Sequence, residues 1–278
     1  MQQTREIKYL PRIPLASVTT DTGCLRETNE DNGVHVKPGD EETRKLRGTL
    51  TVVADGMGGH SSGEVASQMA MDLIVQFYYA DAQNTVAEAL RNAIQQANAE
   101  IFQTSVTDEK YYGMGTTLVA LILLDGIGYT AHVGDSRLYR LRNNQIELLT
   151  MDHSQVMEMV KEGIISMEEA RHHEDKNVIL RAVGTQLTVN VEVSEAFEVL
   201  PNDEFLLCSD GLSDMVEDEI IASVWANSGD VYEASEKLVA IAKDFGGHDN
   251  ITAAVVKIPA EDEFFVARKA PVTRELGV

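Results

Sequence analysis

Asp55, Asp135, Asp210 and Asp249 each stand beside glycine or asparagine at the edge of an apolar run. The runs are Val52-Val53-Ala54-Asp55-Gly56, His132-Val133-Gly134-Asp135-Ser136, Leu206-Leu207-Cys208-Ser209-Asp210-Gly211 and His248-Asp249-Asn250-Ile251-Thr252. Each reads as a strand meeting a turn, and a turn there can point a carboxylate inward at the rim of a sheet. Carboxylates far apart in sequence but gathered in space repel one another. Divalent cations relieve that repulsion, and hard oxygen donors suit Mg²⁺ and Mn²⁺. The pattern predicts a metal cluster on a β scaffold.

The elements that must hold these acids follow from apolar periodicity. Residues 15–20, 33–37, 49–54, 115–124, 127–134, 136–142, 189–197, 204–208 and 250–258 read as strands, by β-branched content or period-two alternation. Val65, Met69, Leu73 and Phe77 fall on one helix face, as do Val86, Leu90, Ile94, Ala97 and Ile101. A second helical pair covers 217–226 and 231–244. Short turns such as Asp125-Gly126 and Asn143-Asn144 join neighbouring strands and favour antiparallel sheets. Helices arriving in pairs between strand groups imply layers, with sheets packed together and helices outside. Residues 153–178 are polar, helical and rich in Met, Glu and His, and read as a flap off the core. One domain over 1–260 is expected, followed by a tail, 261–278, with no evident partner.

The bulk numbers bound the function. The 278 residues are 44% hydrophobic, ample for a sizeable core, and carry 23 basic against 45 acidic residues, a net charge of -22. That balance argues against nucleic acid or an anionic membrane as a main partner. The longest apolar stretch, 117–124, is far shorter than the ~20 residues of a membrane helix. Met1-Gln2-Gln3-Thr4-Arg5-Glu6 lacks the charged-then-apolar pattern of a signal peptide. A cytoplasmic location is the expectation. Cys24 and Cys208 fit a reducing compartment better than a disulfide framework.

The motifs also occur in a specific order. Asp21-Thr22-Gly23-Cys24-Leu25-Arg26-Glu27-Thr28-Asn29-Glu30-Asp31 is followed by Val53-Ala54-Asp55-Gly56-Met57-Gly58-Gly59-His60 with Gly63-Glu64, then by Gly113-Met114-Gly115-Thr116-Thr117. Next come His132-Val133-Gly134-Asp135-Ser136-Arg137, Asp152-His153-Ser154, Leu180-Arg181-Ala182-Val183-Gly184, Ser209-Asp210-Gly211 and His248-Asp249-Asn250-Ile251-Thr252. In this order, from about residue 15 to 258, the chain resembles the metal-dependent PPM, or PP2C-type, protein phosphatases in their bacterial serine/threonine branch. The resemblance implies an α+β fold: a four-layer α-β-β-α sandwich of two antiparallel sheets flanked by helix pairs, with a helical flap insert.

It also implies a chemistry. A metal pair ~3.5–4 Å apart lowers the pKa of a bound water and clamps phosphoryl oxygens. By resemblance Asp55 bridges two Mn²⁺ or Mg²⁺ ions, Asp210 and Asp249 complete one site, and Glu30 with the Gly56 carbonyl holds the other. Arg26 grips substrate phosphate, for which its planar fork is suited. Asp31 orients a bound water, and Asn250 supports Asp249 from behind. Asp135 joins Asp210 in a third, weaker metal site near the flap. A strand-turn aspartate is the plainer role for Asp135, as a turn cap is for Asp55 taken alone. For Asp152 and His153 a capping or structural pair is preferred. Met57 stands where many eukaryotic relatives carry a histidine proposed as general acid. His60 or a metal-bound water could then supply the proton.

Other phosphatase chemistries fit badly. Position 30, six after Cys24, is Glu, and position 214, six after Cys208, is Asp, so no cysteine-arginine phosphate loop exists. No Asp-x-Asp-x-Thr motif occurs either. The expected partners are phosphorylated proteins and a cognate serine/threonine kinase. A catalytically silent binding module is the alternative class. It is disfavoured because such relatives typically lose the metal ligands that Asp55, Asp210 and Asp249 retain.

Overall fold

The computed structural model describes residues 13–58, 62–260 and 273–274. The strands are β1 (Leu15–Asp21), β2 (Asp31–Val36), β3 (Thr49–Met57), β4 (Gly115–Thr116), β5 (Leu118–Leu124), β6 (Ile127–Val133), β7 (Arg137–Arg142), β8 (Gln145–Leu148), β9 (Glu192–Val193), β10 (Phe197–Glu198), β11 (Glu204–Cys208), β12 (Ile251–Lys257) and β13 (Thr273–Arg274). The helices are α1 (Glu41–Arg47), α2 (Ser62–Ala80), α3 (Val86–Thr107), α4 (Gln155–Lys161), α5 (Met167–Arg171), α6 (Asp210–Ser213), α7 (Asp218–Ala226) and α8 (Val231–Asp244).

One sheet runs β1-β12-β11-β7-β8 and the other β10-β6-β5-β3-β2-β13. Alternation along the central strands divides the core into three layers. Val53, Val119, Leu121, Phe205, Leu207, Ala254 and Val256 meet between the sheets. Val52, Ala54, Ala120 and Ile122 face α2 and α3, whereas Leu206, Cys208, Ala253 and Val255 face α7 and α8. Both faces of each central strand are buried, which is why these strands read as nearly unbroken apolar runs. The result is the expected layered sandwich.

Local chemistry sets the boundaries. Asp125 and Gly126 (φ 48° and 79°) and Asn143 and Asn144 (φ 53° and 60°) adopt the left-handed conformations of two-residue hairpins. Thr85 and Glu88 form a reciprocal cap at the start of α3, and Asp230 caps α8.

Some expectations need correction. The buried stripe of α2 is Gly63, Ala66, Ser67, Ala70, Met71, Ile74 and Tyr78, with Val65, Met69, Leu73 and Phe77 only half-buried beside it. Small residues let the helix approach the sheet closely, and a periodicity count weighted by large side chains misses them. Residues 189–197 do not form one strand, because only the short β9 and β10 pair with β6. The run 115–124 is two strands, with β4 pairing to the end of β3. The short α1 and β8 were not anticipated. Of the tail, Thr273–Arg274 pairs in parallel with His35–Val36, continuing the sheet beyond β2. Residues 261–272 and 275–278 lie outside the described residues.

Candidate metal centre

Asp55 sits near the end of β3, directly across from Asp31 on β2. Its backbone is fixed on the other side by two threonines. The Asp55 N–H donates to Thr117 Oγ1 at 3.0 Å, and its carbonyl accepts from Thr117 N and Thr116 Oγ1, both at 2.8 Å. With the main chain so held, the carboxylate is aimed by the strand rather than by its own rotamer freedom. Gly56 follows because nothing larger fits: a Cβ there would lie 2.1 Å from Gly63 O and 2.6 Å from Glu30 O. Gly63, in the first turn of α2, is also tight, a Cβ there lying 2.7 Å from Gly56 C and 2.8 Å from the Glu30 carboxylate, to which Gly63 donates its N–H.

The other sheet delivers its acids through turns. Ser209 follows the last residue of β11, and Asp210 opens α6. Ser209 Oγ donates to Asp31 Oδ2 at 2.6 Å while accepting from Thr252 N at 3.0 Å, so one hydroxyl ties the two sheets together beside the acids. Asn250 is a second tie. Its Oδ1 accepts from Glu30 N at 2.8 Å, and its Nδ2 donates to Thr22 O at 3.0 Å and Thr28 O at 2.9 Å. Asp249 accepts from Asn250 N through Oδ1 at 2.8 Å and from Arg26 Nη2 through Oδ2 at 2.6 Å.

The electrostatics are those of crowded anions. Removal from water, then the charges of Asp31, Asp210, Asp135 and Asp249, push the Asp55 carboxyl well above its usual range. Burial, then Asp135, Asp214 and Asp249, do the same to Asp210. Burial raises Asp31 to about 6, against hydrogen bonds from Ser209 and Thr252 that favour its charge. Burial and then Asp152 and Asp214 raise Asp135 to about 7. The Oδ1 atoms of Asp31, Asp135 and Asp210 are buried with no hydrogen-bond donor among the described residues. Buried lone pairs without donors, on several mutually repelling carboxylates, call for cations. The all-oxygen donor set fits Mg²⁺ or Mn²⁺ rather than softer metals.

A flap covers one side. Gln155 N bonds Val178 O, and Leu180 N bonds His153 O, closing its base. Arg171 Nη2 donates to Ser213 O and Val216 O at 3.1 and 3.0 Å, and Lys176 pairs with Asp214 at 2.7 Å. Beneath it lies a cavity of about 510 Å³ whose lining includes Asp135, Asp210, Asp214, Met157 and Lys176. The segment expected to leave the core is therefore strapped back onto it, over Asp135.

Asp152 and His153 act separately rather than as a pair. Asp152 takes a bidentate grip from Arg137, with contacts of 2.7 to 3.1 Å. His153 Nδ1 accepts from Gly134 N–H at 3.1 Å, and its Nε2 lies between Glu192 Oε2 at 3.2 Å and Arg181 Nη1 at 3.1 Å. His132 stacks on His153 and bonds Met151 O at 2.8 Å. His132, His153 and Glu192 have metal-ligand chemistry and lie close together. With His132 Nε2 donating to the Met151 carbonyl and His153 Nδ1 accepting from Gly134 N–H, they brace the turn that presents Asp135.

The structure thus gathers Arg26, Glu30, Asp31, Asp55, Gly56, Asp210, Asp249 and Asn250, with Asp135 joining from the β6–β7 turn. His60 lies outside the described residues. Reasoning from sequence gave no roles to Thr116, Thr117, Ser209 or Gly63. Their presence inside the quoted motifs was the available signal. Cys24 and Cys208 are both free thiols.

With this geometry in hand, comparison with known proteins is direct. A family model described as Protein phosphatase 2C matches residues 41–241. The serine/threonine phosphatase stp of Listeria welshimeri is 38% identical over 249 residues, covering 87% of this chain and 95% of that protein. The crystal structure of the Mycobacterium tuberculosis serine/threonine phosphatase PstP/Ppp superposes with a TM-score of 0.79 at 32% identity, covering 89% of this chain and 100% of that one. A structure of the PstP catalytic domain in complex with two manganese ions gives 0.75 at 31% identity, covering 89% and 99%. The chain belongs to the protein phosphatase 2C family of serine/threonine protein phosphatases.

Proposed function

We propose that this chain hydrolyses phosphoserine and phosphothreonine in proteins, using Mn²⁺ or Mg²⁺ held by Asp55, Asp210 and Asp249 on one side and by Asp55, Glu30 and the Gly56 carbonyl on the other. The observation that carries the reading is the set of buried, donorless carboxylate oxygens on Asp31, Asp135 and Asp210. When bound, a cation pair supplies an activated water and neutralises phosphoryl oxygens. The protein's own part is positioning. Thr116 and Thr117 fix Asp55, Ser209 fixes Asp31, and Asn250 holds the 28–30 segment so that Glu30 faces the cluster. Arg26, half-exposed at the edge of the cluster, binds the phosphate of the incoming residue. Asp135 and Asp210, sharing the cavity under the flap, would hold a third, weaker cation. The partners are phosphorylated proteins and the kinase that makes them, in the cytoplasm, and residues 1–260 form one catalytic domain. No helix among the described residues is long and apolar enough to cross a membrane.

The test is turnover of a phosphothreonine peptide by purified protein. Activity should need Mn²⁺ or Mg²⁺ and vanish with EDTA. Thiol alkylation should leave it largely intact. Full activity in a verified metal-free preparation would refute the proposal.

A further inference from the structure

Asp135 is aimed by the residue before it, and that residue is a glycine, the type least able to hold a direction by itself. Gly134 has φ 106°, and a Cβ there would meet Thr117 Cβ at 2.8 Å, so no stiffer residue can take its place. One residue from outside the turn supplies the constraint on both sides. The His153 N–H donates to Gly134 O at 2.8 Å, and His153 Nδ1 accepts from Gly134 N–H at 3.1 Å. The first bond holds the peptide unit that leads into Asp135, and the second holds the unit before it. Because peptide units are planar, fixing both sets the two dihedrals of the glycine. On the far flank Ser136 Oγ pairs with Thr117 Oγ1 at 2.7 Å, and that threonine oxygen also accepts from Asp55 N–H.

His153 has little freedom of its own. It is 2% exposed, its ring stacks on His132 at 4.5 Å between centroids, and its carbonyl accepts from Leu180 N–H at 2.7 Å. The ring therefore has two separable edges: Nε2 meets Glu192 and Arg181, while Nδ1 meets the turn. The carboxylate at stake has a buried Oδ1 with no donor among the described residues and lines the cavity shared with Asp210. Such a group serves a cation only if held to within about 0.5 Å. Resting on the phosphatase reading above, we infer that His153 is a positioning residue for the hydrolysis: its Nδ1, acting through Gly134, holds the Asp135 carboxylate in place under the flap. The imidazole itself touches neither substrate nor cation.

Two substitutions separate the two edges of the ring. In His153→Asn the side-chain oxygen replaces Nδ1 as acceptor and nothing replaces Nε2. In His153→Gln the polar atoms lie one bond further out, level with Nε2, and the acceptor at Nδ1 is lost. Both are assayed with Mn²⁺ on a phosphothreonine peptide and an aryl phosphate, alone and combined with Asp135→Ala, and Mn²⁺ binding is followed by calorimetry. His153→Gln should lower peptide kcat roughly tenfold and aryl phosphate turnover less than about threefold. It should weaken the weaker Mn²⁺ binding and keep the tighter. His153→Asn should stay within about threefold of wild type in every measurement. In the Asp135→Ala background His153→Gln should cost less than about a further twofold, because nothing is left to position.

A tenfold loss that persists in the Asp135→Ala background overturns the inference. So does a His153→Gln variant at wild-type level, a folded His153→Asn variant as impaired as His153→Gln, or an Asp135→Ala variant that behaves as wild type. Thermal melts check folding. If His153→Gln does not fold, His153→Asn decides: retained peptide turnover supports the role of Nδ1 and lost turnover refutes it. Failure of both to fold makes the residue structural only and also overturns the inference. All these outcomes leave the phosphatase reading intact, whereas wild-type protein inactive on both substrates overturns both.

Discussion

Arg26 donates to Asp249 across 2.6 Å, so the arginine assigned to substrate phosphate rests on a carboxylate assigned to metal. Of the five N–H donors of the guanidinium, only those on Nη2 meet Asp249, which leaves Nε and Nη1 free to face a phosphate. Under the proposed roles the arginine would therefore touch the metal-binding acid and the substrate phosphate at once.

Arg26→Ala should therefore lower kcat/KM for a phosphopeptide about ten- to hundredfold, the worth of a charge-assisted hydrogen bond, chiefly through KM. Calorimetry should show Mn²⁺ affinity kept or slightly improved, because Asp249 no longer has an internal cation. An unchanged KM together with lost Mn²⁺ binding would reverse the two roles.

Asp210→Asn and Asp55→Asn each remove one charge from a cluster that repels itself. Both variants should be nearly inactive. In EDTA they should melt at a higher temperature than the wild type, because the repulsion is reduced. Added Mn²⁺ should raise the wild-type melting temperature and leave the variants almost unmoved. A wild-type melt insensitive to Mn²⁺ would contradict cation binding at this cluster.

Asp135→Ala should keep the Mn²⁺ stabilisation of the core pair. If Asp135 holds the cation whose water protonates the leaving oxygen, phosphopeptide kcat should fall at least about 100-fold, within the range of general acid catalysis. An aryl phosphate, with its better leaving group, should lose less than about tenfold. Equal losses on both substrates would remove Asp135 from proton transfer and return attention to His60.

His35 gives a pH prediction away from the acids. It is buried on β2 with Nδ1 2.8 Å from Thr51 Oγ1. Burial, and then Lys37, depress its pKa from 6.5 to about 4. The folded protein therefore holds the neutral ring. This contribution is complete above pH 6.5 and is lost as pH falls toward 4, by roughly 3 kcal/mol in all. Chemical denaturation of wild type and His35→Asn should give a stability difference that shrinks between pH 7 and pH 4.5. A difference independent of pH would show that the ring charges freely in the folded state.

What the sequence disclosed, and what it hid, follow one physical division. Apolar runs ending in Asp-Gly or Asp-Asn disclosed β3, β11 and β12 with the acids at their rims, because strand burial and turn chemistry are local. The helical pair α7 and α8 was found within a residue for the same reason. The hidden parts depend on partners remote in the chain. Ser209 bridging Asp31 to Thr252, Asn250 holding residues 28–30, and Thr117 fixing Asp55 are contacts across 43 to 220 positions. The inner stripe of α2 was misplaced because Gly63, Ala66 and Ala70 matter there for their smallness. That quality is visible only once the opposing sheet is in place.

The position of β12 bears on how the enzyme comes to life during synthesis. It is the last long strand of the described chain, yet it lies inside its sheet, hydrogen-bonded to β1 on one side and β11 on the other. Asp249 and Asn250 lead directly into it. A nascent chain lacking residues 249–257 has neither a closed sheet nor the side chain that anchors the Glu30 segment. The centre therefore cannot assemble until residues 249–257 have joined the sheet between β1 and β11.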